Sequence, residues 1–199
     1  MNHLAHLLLA GADPGLRAGG FLGDFVRGRL QGERPARLEL GIALHRYIDA
    51  TTDRHPAVRE LTARFRPPWR RWAPVALDVW FDHLLARRFS EFANQPLPAF
   101  AARACDDLAR HLDWFPPRAA AFLQRMRETE LLEAYRRPDT VDAVLERLSR
   151  RSPRAAPLTD IRGELDRLAP ELEAGFGRLM PSLITDCTHW RSNRLPRVD

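Results

Sequence analysis

Two carboxylates and an imidazole stand close together in a part of the chain that is otherwise apolar. Residues 74–89 have the composition of one helix, and they include Asp78, Asp82 and His83. Helix positions four apart share a face, so the two aspartates can point the same way. Charged groups on a largely buried helix are costly unless they are paired or bound to a metal ion. This helix is therefore predicted to carry half of a metal site.

Histidines and aspartates that could complete such a site are concentrated in the first half of the chain. Asp24 lies within an apolar stretch, and His45 and Asp49 are one helical turn apart. The candidate ligands are His6, Asp24, His45, Asp49, Asp82 and His83, with Asp53, His55 and Asp78 nearby. Mixed imidazole and carboxylate ligands suit Mn²⁺, Fe²⁺, Mg²⁺ or Zn²⁺. Such an ion lowers the pKa of a bound water and neutralises phosphoryl charge, which is the chemistry of phosphoester hydrolysis.

Each candidate also has an interpretation without a metal. His6 could be a core histidine that is hydrogen-bonded to a backbone carbonyl, and Asp24 could cap a helix. Asp49 could form an ion pair with Arg46, and an adjacent Asp and His occur together by chance. Residue types and spacing alone leave these alternatives open.

The elements that must position these residues read as helices separated by prolines. We find no run of alternating apolar and polar residues and no hairpin dipeptide, so β-structure is not expected. The chain is predicted to be an all-α, single-domain helical bundle over residues 1–199. Apolar residues from Ile161 to Leu183 recur at helical spacing, and Pro170 and Pro181 are expected to kink or divide that helix.

Composition places the chain among globular proteins with a basic surface. It has 199 residues, 45% hydrophobic and 29% charged, with a formal charge of +5. Every basic residue except histidine is arginine, so the surface should attract acidic partners. Cys105 and Cys187 form no CxxC motif, and we expect them to be reduced in a cytoplasmic protein. No segment approaches the length of an apolar membrane span.

Four blocks of the sequence together resemble a known family. They are MNHLAHLLLA at 1–10, GFLGDFVRG at 20–28, GIALHRYID at 41–49 and DVWFDHLLA at 78–86. In order and spacing they are similar to the acyl carrier protein phosphodiesterases, or holo-ACP hydrolases. That family is described as an unorthodox relative of the all-α HD phosphohydrolases. The His-Asp pair that names those enzymes occurs here in reversed order, as Asp82 and His83.

The resemblance implies a fold, a reaction and a partner. The fold would be HD-phosphohydrolase-like, and the reaction would be hydrolysis of the bond that links 4′-phosphopantetheine to a serine of holo-acyl carrier protein. The metal would be Mn²⁺, with Mg²⁺ or Fe²⁺ as alternatives. The partner would be the acidic carrier protein, with no nucleic acid and no membrane involved.

With the resemblance in hand, a site can be assigned. The metal ligands are predicted to be His6, Asp24, His45, Asp82 and His83, and Asp49 is predicted to ligate or to orient His45 as a further catalytic residue. Arg46 and Arg27 are predicted to hold the substrate phosphate. Two other functions remain open: an HD-like phosphohydrolase acting on a nucleotide or other small phosphoester, and a non-catalytic basic helical binding protein.

Overall fold

The computed structural model describes residues 1–195, which are largely helical and include no β-strand. The α-helices are α1 (His3–Leu9), α2 (Pro14–Leu22), α3 (Ala36–Arg54), α4 (Pro56–Arg64), α5 (Ala73–Arg87), α6 (Leu97–Ala109), α7 (Pro117–Glu128), α8 (Leu131–Ala134), α9 (Pro138–Ser149), α10 (Arg162–Arg167) and α11 (Ala169–Ser192). Short 3₁₀ segments lie at Trp69–Trp72, Phe89–Glu91, Leu112–Trp114 and Pro153–Asp160. The all-α prediction is confirmed. Of the predicted domain, residues 196–199 lie outside the described part.

Prolines begin several of these helices, as the sequence indicated. Pro56, Pro117 and Pro138 occupy the first position of α4, α7 and α9, where a missing N–H costs nothing. Pro170 lies in the first turn of α11 and separates it from α10. Pro181 does not divide the helix, because α11 continues through it, and a kink at this residue stays a prediction. Pro181 lies on the exposed side of that helix, away from the packed core.

The predicted apolar stripe of the last segment is buried along its whole length. Ile161, Leu165, Leu172, Phe176 and Leu183 are all inaccessible to solvent and belong to one hydrophobic cluster that includes residues from α1 to α11. Burial of this stripe places α11 against α1, α3 and α5, the helices that carry most of the candidate ligands. None of the helices within residues 1–195 has both the length and the apolar character needed to cross a bilayer.

Helices α2 and α3 cross with their backbones in contact. A Cβ atom on Gly41 would lie 2.5 Å from the carbonyl oxygen of Leu16, and one on Gly19 would lie 2.2 Å from that of Leu38. Only glycine allows this approach. The crossing brings the end of α2 and the loop after it against the middle of α3, which carries His45.

Candidate metal centre

His45 is held in one orientation by the end of α2. Its Nδ1 lies 2.8 Å from the carbonyl oxygen of Gly20, a distance at which the ring N–H donates a hydrogen bond. A Cβ atom on Gly23 would lie 2.2 Å from Cγ of His45, so the ring packs directly on the backbone there. With the proton on Nδ1, Nε2 carries the free lone pair, which is the form that binds a metal.

Three side chains from α1 and α3 converge around that nitrogen. Nε2 of His45 lies 3.1 Å from one carboxylate oxygen of Asp49, and Nε2 of His6 lies 3.1 Å from the other. The two imidazole rings stack with their centroids 3.9 Å apart. One ligand atom from each of the three residues lies within 4.8 Å of the other two. This His6–His45–Asp49 group is the one set of three or more such residues with metal-binding spacing in the part of the chain that the structure describes.

Electrostatics keep Asp49 charged and His6 neutral. Burial raises the pKa of Asp49, but its contacts with the rings of His45 and His6 outweigh burial and hold the pKa well below its usual range. Burial lowers the pKa of His6 to about 4, and the nearby His45 acts in the same direction. Burial also lowers the pKa of His45, but the hydrogen bond and charge of Asp49 outweigh it, so the net shift is upward. Near neutral pH the group therefore offers a carboxylate and at least one neutral imidazole.

The donor set fits a divalent cation. Nε2 of His45 and the Asp49 carboxylate are both acceptors when Nδ1 of His45 carries the proton, so a proton or a metal ion must lie between them. Nδ1 of His6 is buried and has no hydrogen-bond partner among the described residues. Two imidazoles and one carboxylate form a mixed set that suits Mn²⁺, Fe²⁺ or Zn²⁺. The alternative that His6 is a core histidine hydrogen-bonded to a backbone carbonyl also has support, because its Nε2 lies 3.1 Å from the carbonyl oxygen of Met1.

Asp24 lies at the edge of this group, on the loop after α2. One of its carboxylate oxygens is 3.9 Å from Nε2 of His45, and the other is 3.3 Å from Nδ1 of His3. No helix follows it directly, so it does not act as the helix cap considered from the sequence. Its side chain is 45% exposed and can reach both the group and the neighbouring cleft.

The structure gives Asp82 and His83 partners outside this group. Asp82 is fully buried, and its carboxylate accepts hydrogen bonds from the backbone N–H of Leu4 at 2.7 Å and of Ala5 at 3.1 Å. Nδ1 of His83 lies 2.7 Å from the carbonyl oxygen of Tyr135. Neighbouring residues on a helix diverge by roughly 100°, so these two side chains face different elements. Metal ligation by Asp82 and His83 stays a prediction that this geometry does not support.

The helix face shared by Asp78 and Asp82 points at the N-terminal segment. The amino group of Met1 donates to a carboxylate oxygen of Asp78 at 2.7 Å. Asn2 occupies the N-cap position of α1, but its side chain donates to the hydroxyl of Tyr135 instead of capping the helix. Asp82 takes over the capping role from α5.

The two arginines assigned to the substrate phosphate lie elsewhere. Arg46 donates to the carbonyl oxygen of Val26 at 3.2 Å and so stabilises the loop that carries Asp24. Arg27 is exposed on the same loop. Neither lines the cleft beside the candidate metal group, and phosphate binding by them stays a prediction.

That cleft, of about 660 Å³, was not foreseen from the sequence. Its inner end is formed by Met1, His3, Asp24 and Asp78, and its apolar floor by Phe25, Val75, Val79, Phe122, Val144 and Leu148. Its basic side, which we call the arginine rim, consists of Arg118, Arg125, Arg147, Arg150 and Arg151. The only signal in the sequence is the helical spacing of Arg147 and Arg151, which indicates a shared face but not what the face adjoins.

Comparison with known proteins gives a consistent result over nearly the whole chain. A family model described as acyl carrier protein phosphodiesterase matches residues 1–183. A protein of Enterobacter sp. (strain 638) named acyl carrier protein phosphodiesterase is 37% identical over 185 residues, which is 92% of this chain and 96% of that protein. One of the same name from Escherichia coli (strain SE11) is 36% identical over 190 residues, 95% of this chain and 98% of that protein. No solved structure matches.

Proposed function

The chain belongs to the acyl carrier protein phosphodiesterase family, and on that premise we propose that it hydrolyses holo-acyl carrier protein. Relatives with this name are hydrolases that cleave a phosphodiester. In the proposed reaction, water attacks phosphorus and the bond between phosphorus and the serine oxygen is cleaved. The products are apo-carrier, with its serine hydroxyl restored, and free 4′-phosphopantetheine. We place the reaction in the cytoplasm, where Cys105 and Cys187, both buried and unbridged, would stay reduced.

The observation that carries this proposal is the His6–His45–Asp49 group beside a cleft lined with arginine. We propose that His6 and His45 hold a divalent cation through ring nitrogens, with Asp49 as the carboxylate and Asp24 at the cleft side. Mn²⁺ is the metal that we propose, with Mg²⁺ or Fe²⁺ as alternatives, and when bound it supplies a water of lowered pKa and neutralises charge on a phosphoryl oxygen.

The residues of the chain prepare the site for that chemistry. The carbonyl of Gly20 fixes the tautomer of His45, and Asp49 contacts both imidazoles and fixes their mutual orientation. The guanidinium groups of the rim create a positive potential beside the cleft. Asp24 adjoins both the cleft and His45, so a phosphate at the inner end would lie next to the metal group.

The test combines metal content with the mass of a holo-carrier after incubation. Wild-type protein should contain or take up Mn²⁺ and should convert holo-carrier to the mass of apo-carrier. His45→Gln and Asp49→Asn should lose both properties. His83→Gln is the matched control and should retain the metal, because His83 contacts Tyr135 and not the group.

Two results would contradict the proposal. An unchanged carrier mass with Mn²⁺-loaded wild-type protein would exclude this substrate, and hydrolysis of nucleotides or a simple phosphodiester in the same preparation would favour a small phosphoester. Loss of metal from folded His83→Gln, with metal retained by Asp49→Asn, would favour the ligand set predicted from the sequence over the one proposed here.

A further inference from the structure

Some arginines of the described surface are paired with carboxylates, but four of the five on the arginine rim are not. Arg88 pairs with Glu91, and Arg162 pairs with Asp166. On the rim, only Arg150 has such a partner, Glu146 at 2.6 Å. The other four members make no ion pair and no side-chain hydrogen bond within residues 1–195, although 26 acidic residues are present in the chain. These four are Arg118, Arg125, Arg147 and Arg151.

Packing holds part of the rim in place despite the repulsion between its charges. The guanidinium carbon of Arg125 lies 5.2 Å from the ring centre of Phe122, and that of Arg147 lies 5.9 Å from it. Burial lowers the pKa of Arg147, and the positive charges of Arg125 and Arg151 lower it further. Uncompensated like charges at this spacing favour the binding of a polyanion.

We propose that the arginine rim is the docking surface for the acidic face of the carrier protein, and that the apolar floor receives the arm that this protein carries. The inference rests on the proposed function and adds the place where the substrate protein binds. Charge complementarity selects an acidic protein surface, since four of the five rim arginines are exposed and Arg147 is half-buried.

The form of the cleft agrees with a protein that delivers a thin arm. Its volume lies within the range of small-molecule sites, which is too small for a protein domain but suitable for a prosthetic group. A docked carrier would remain outside on the rim, with its arm extending along Phe122 to Asp24. Nucleic acid fits less well, because Phe122 is only 8% exposed and offers no free face for base stacking.

The test removes two rim charges and compares them with two charges elsewhere. Arg125→Gln/Arg151→Gln is the rim variant. Arg59→Gln/Arg103→Gln is the control, since both residues are exposed, make no ion pair within residues 1–195 and lie outside the cleft. The rim variant should raise KM for holo-carrier about tenfold with kcat within about twofold, and its kcat/KM should depend less on salt. Activity on bis(p-nitrophenyl) phosphate should be unchanged in both variants.

Several results would overturn the docking surface. If the rim variant and the control variant raised KM for holo-carrier equally, the effect would come from net charge and not from the rim. If the rim variant lost as much activity on bis(p-nitrophenyl) phosphate as on holo-carrier, the rim would be part of the phosphate site. The anisotropy of a labelled holo-carrier measures docking without turnover. Wild-type protein should bind it about tenfold more tightly than the rim variant does. The inference would be refuted if wild-type protein did not bind holo-carrier, or if the rim variant lost affinity for an oligonucleotide but kept its affinity for holo-carrier. Binding of holo-carrier without hydrolysis would refute only the proposed reaction.

Discussion

At the scale of single residues, the carboxylate of Asp82 determines how α1 begins. It accepts the backbone N–H groups of Leu4 and Ala5 from within α5, where no water reaches it. Burial raises its pKa to about 7, against the effect of those hydrogen bonds. His6 lies on the same first turns of α1, so Asp82 acts on the candidate metal group through the position of a helix. A change at Asp82 would therefore reach the candidate metal group without any contact between Asp82 and a bound metal.

The first prediction separates this positioning role from ligation. Asp82→Ala should lower the free energy of unfolding by about 1–3 kcal/mol, because two buried N–H groups lose their acceptor. It should weaken Mn²⁺ binding but not abolish it, as measured by calorimetric titration alongside urea unfolding. Asp53→Ala is the control, since Asp53 is exposed and forms no ion pair within residues 1–195. Complete loss of metal with unchanged stability would instead make Asp82 a ligand.

At the scale of elements, the crossing of α2 and α3 sets the geometry of the site. Gly19 and Gly41 allow backbone contact, and His45 follows Gly41 by one helical turn. The atoms that a new side chain would meet are backbone atoms of the opposite helix, which cannot rotate away. Any increase in volume at the crossing should therefore move His45 relative to His6.

The second prediction concerns that crossing. Gly41→Ala should destabilise the protein by about 1–3 kcal/mol through overpacking and should weaken metal binding. The measurements are urea unfolding and Mn²⁺ titration. Gly163→Ala is the matched control in α10, where an added Cβ meets no atom within 4 Å, and it should stabilise by about 0.4–1 kcal/mol. Unchanged metal affinity in a destabilised Gly41→Ala would show that the crossing does not position His45.

Local rules explain which elements could be predicted from the sequence. Proline positions and helical spacing located most helices. The spacing of His45 and Asp49 predicted that the two side chains share a helix face, and Nε2 of His45 does lie 3.1 Å from the Asp49 carboxylate. Spacing could not show that Asp82 faces an N-terminus, because that depends on where α1 packs. Nor could it place the arginine rim beside Asp24, since α7 and α9 reach the site only through tertiary packing.

At the scale of the whole molecule, the His6–His45–Asp49 group and the cleft come from different parts of the chain. Helices α1 and α3 supply the group, while α7, α9 and the turn after α9 supply the rim.

A buried carboxylate in α10 also joins segments that are distant in the sequence. Glu164 of α10 is 1% exposed and pairs with Arg66, which follows α4, and with Arg167. The carboxylate also accepts the backbone N–H of Arg66 at 3.2 Å.

The third prediction uses the pH dependence of this junction. The hydrogen bond from Arg167, then that from Arg66, lowers the pKa of Glu164 from 4.5 to about 2 despite its burial. Because the pKa is lower in the folded state, the stabilisation is present above pH 4.5 and is lost as the pH falls towards 2. Glu164→Gln should therefore cost about 1–3 kcal/mol at pH 7, because charged hydrogen bonds to Arg66 and Arg167 are lost while both arginines remain accessible to water.

The difference in the free energy of unfolding between wild type and Glu164→Gln should narrow as the pH falls below 4.5, because the carboxylate takes up a proton in the unfolded chain before it does so in the folded protein. Urea unfolding at pH 7, 4.5 and 3 measures this. Glu146→Gln removes an exposed pair with Arg150 and should cost no more than about 1 kcal/mol at any pH. If the difference in the free energy of unfolding between wild type and Glu164→Gln stayed constant from pH 7 to pH 3, the arginines would not be lowering the pKa of the Glu164 carboxylate.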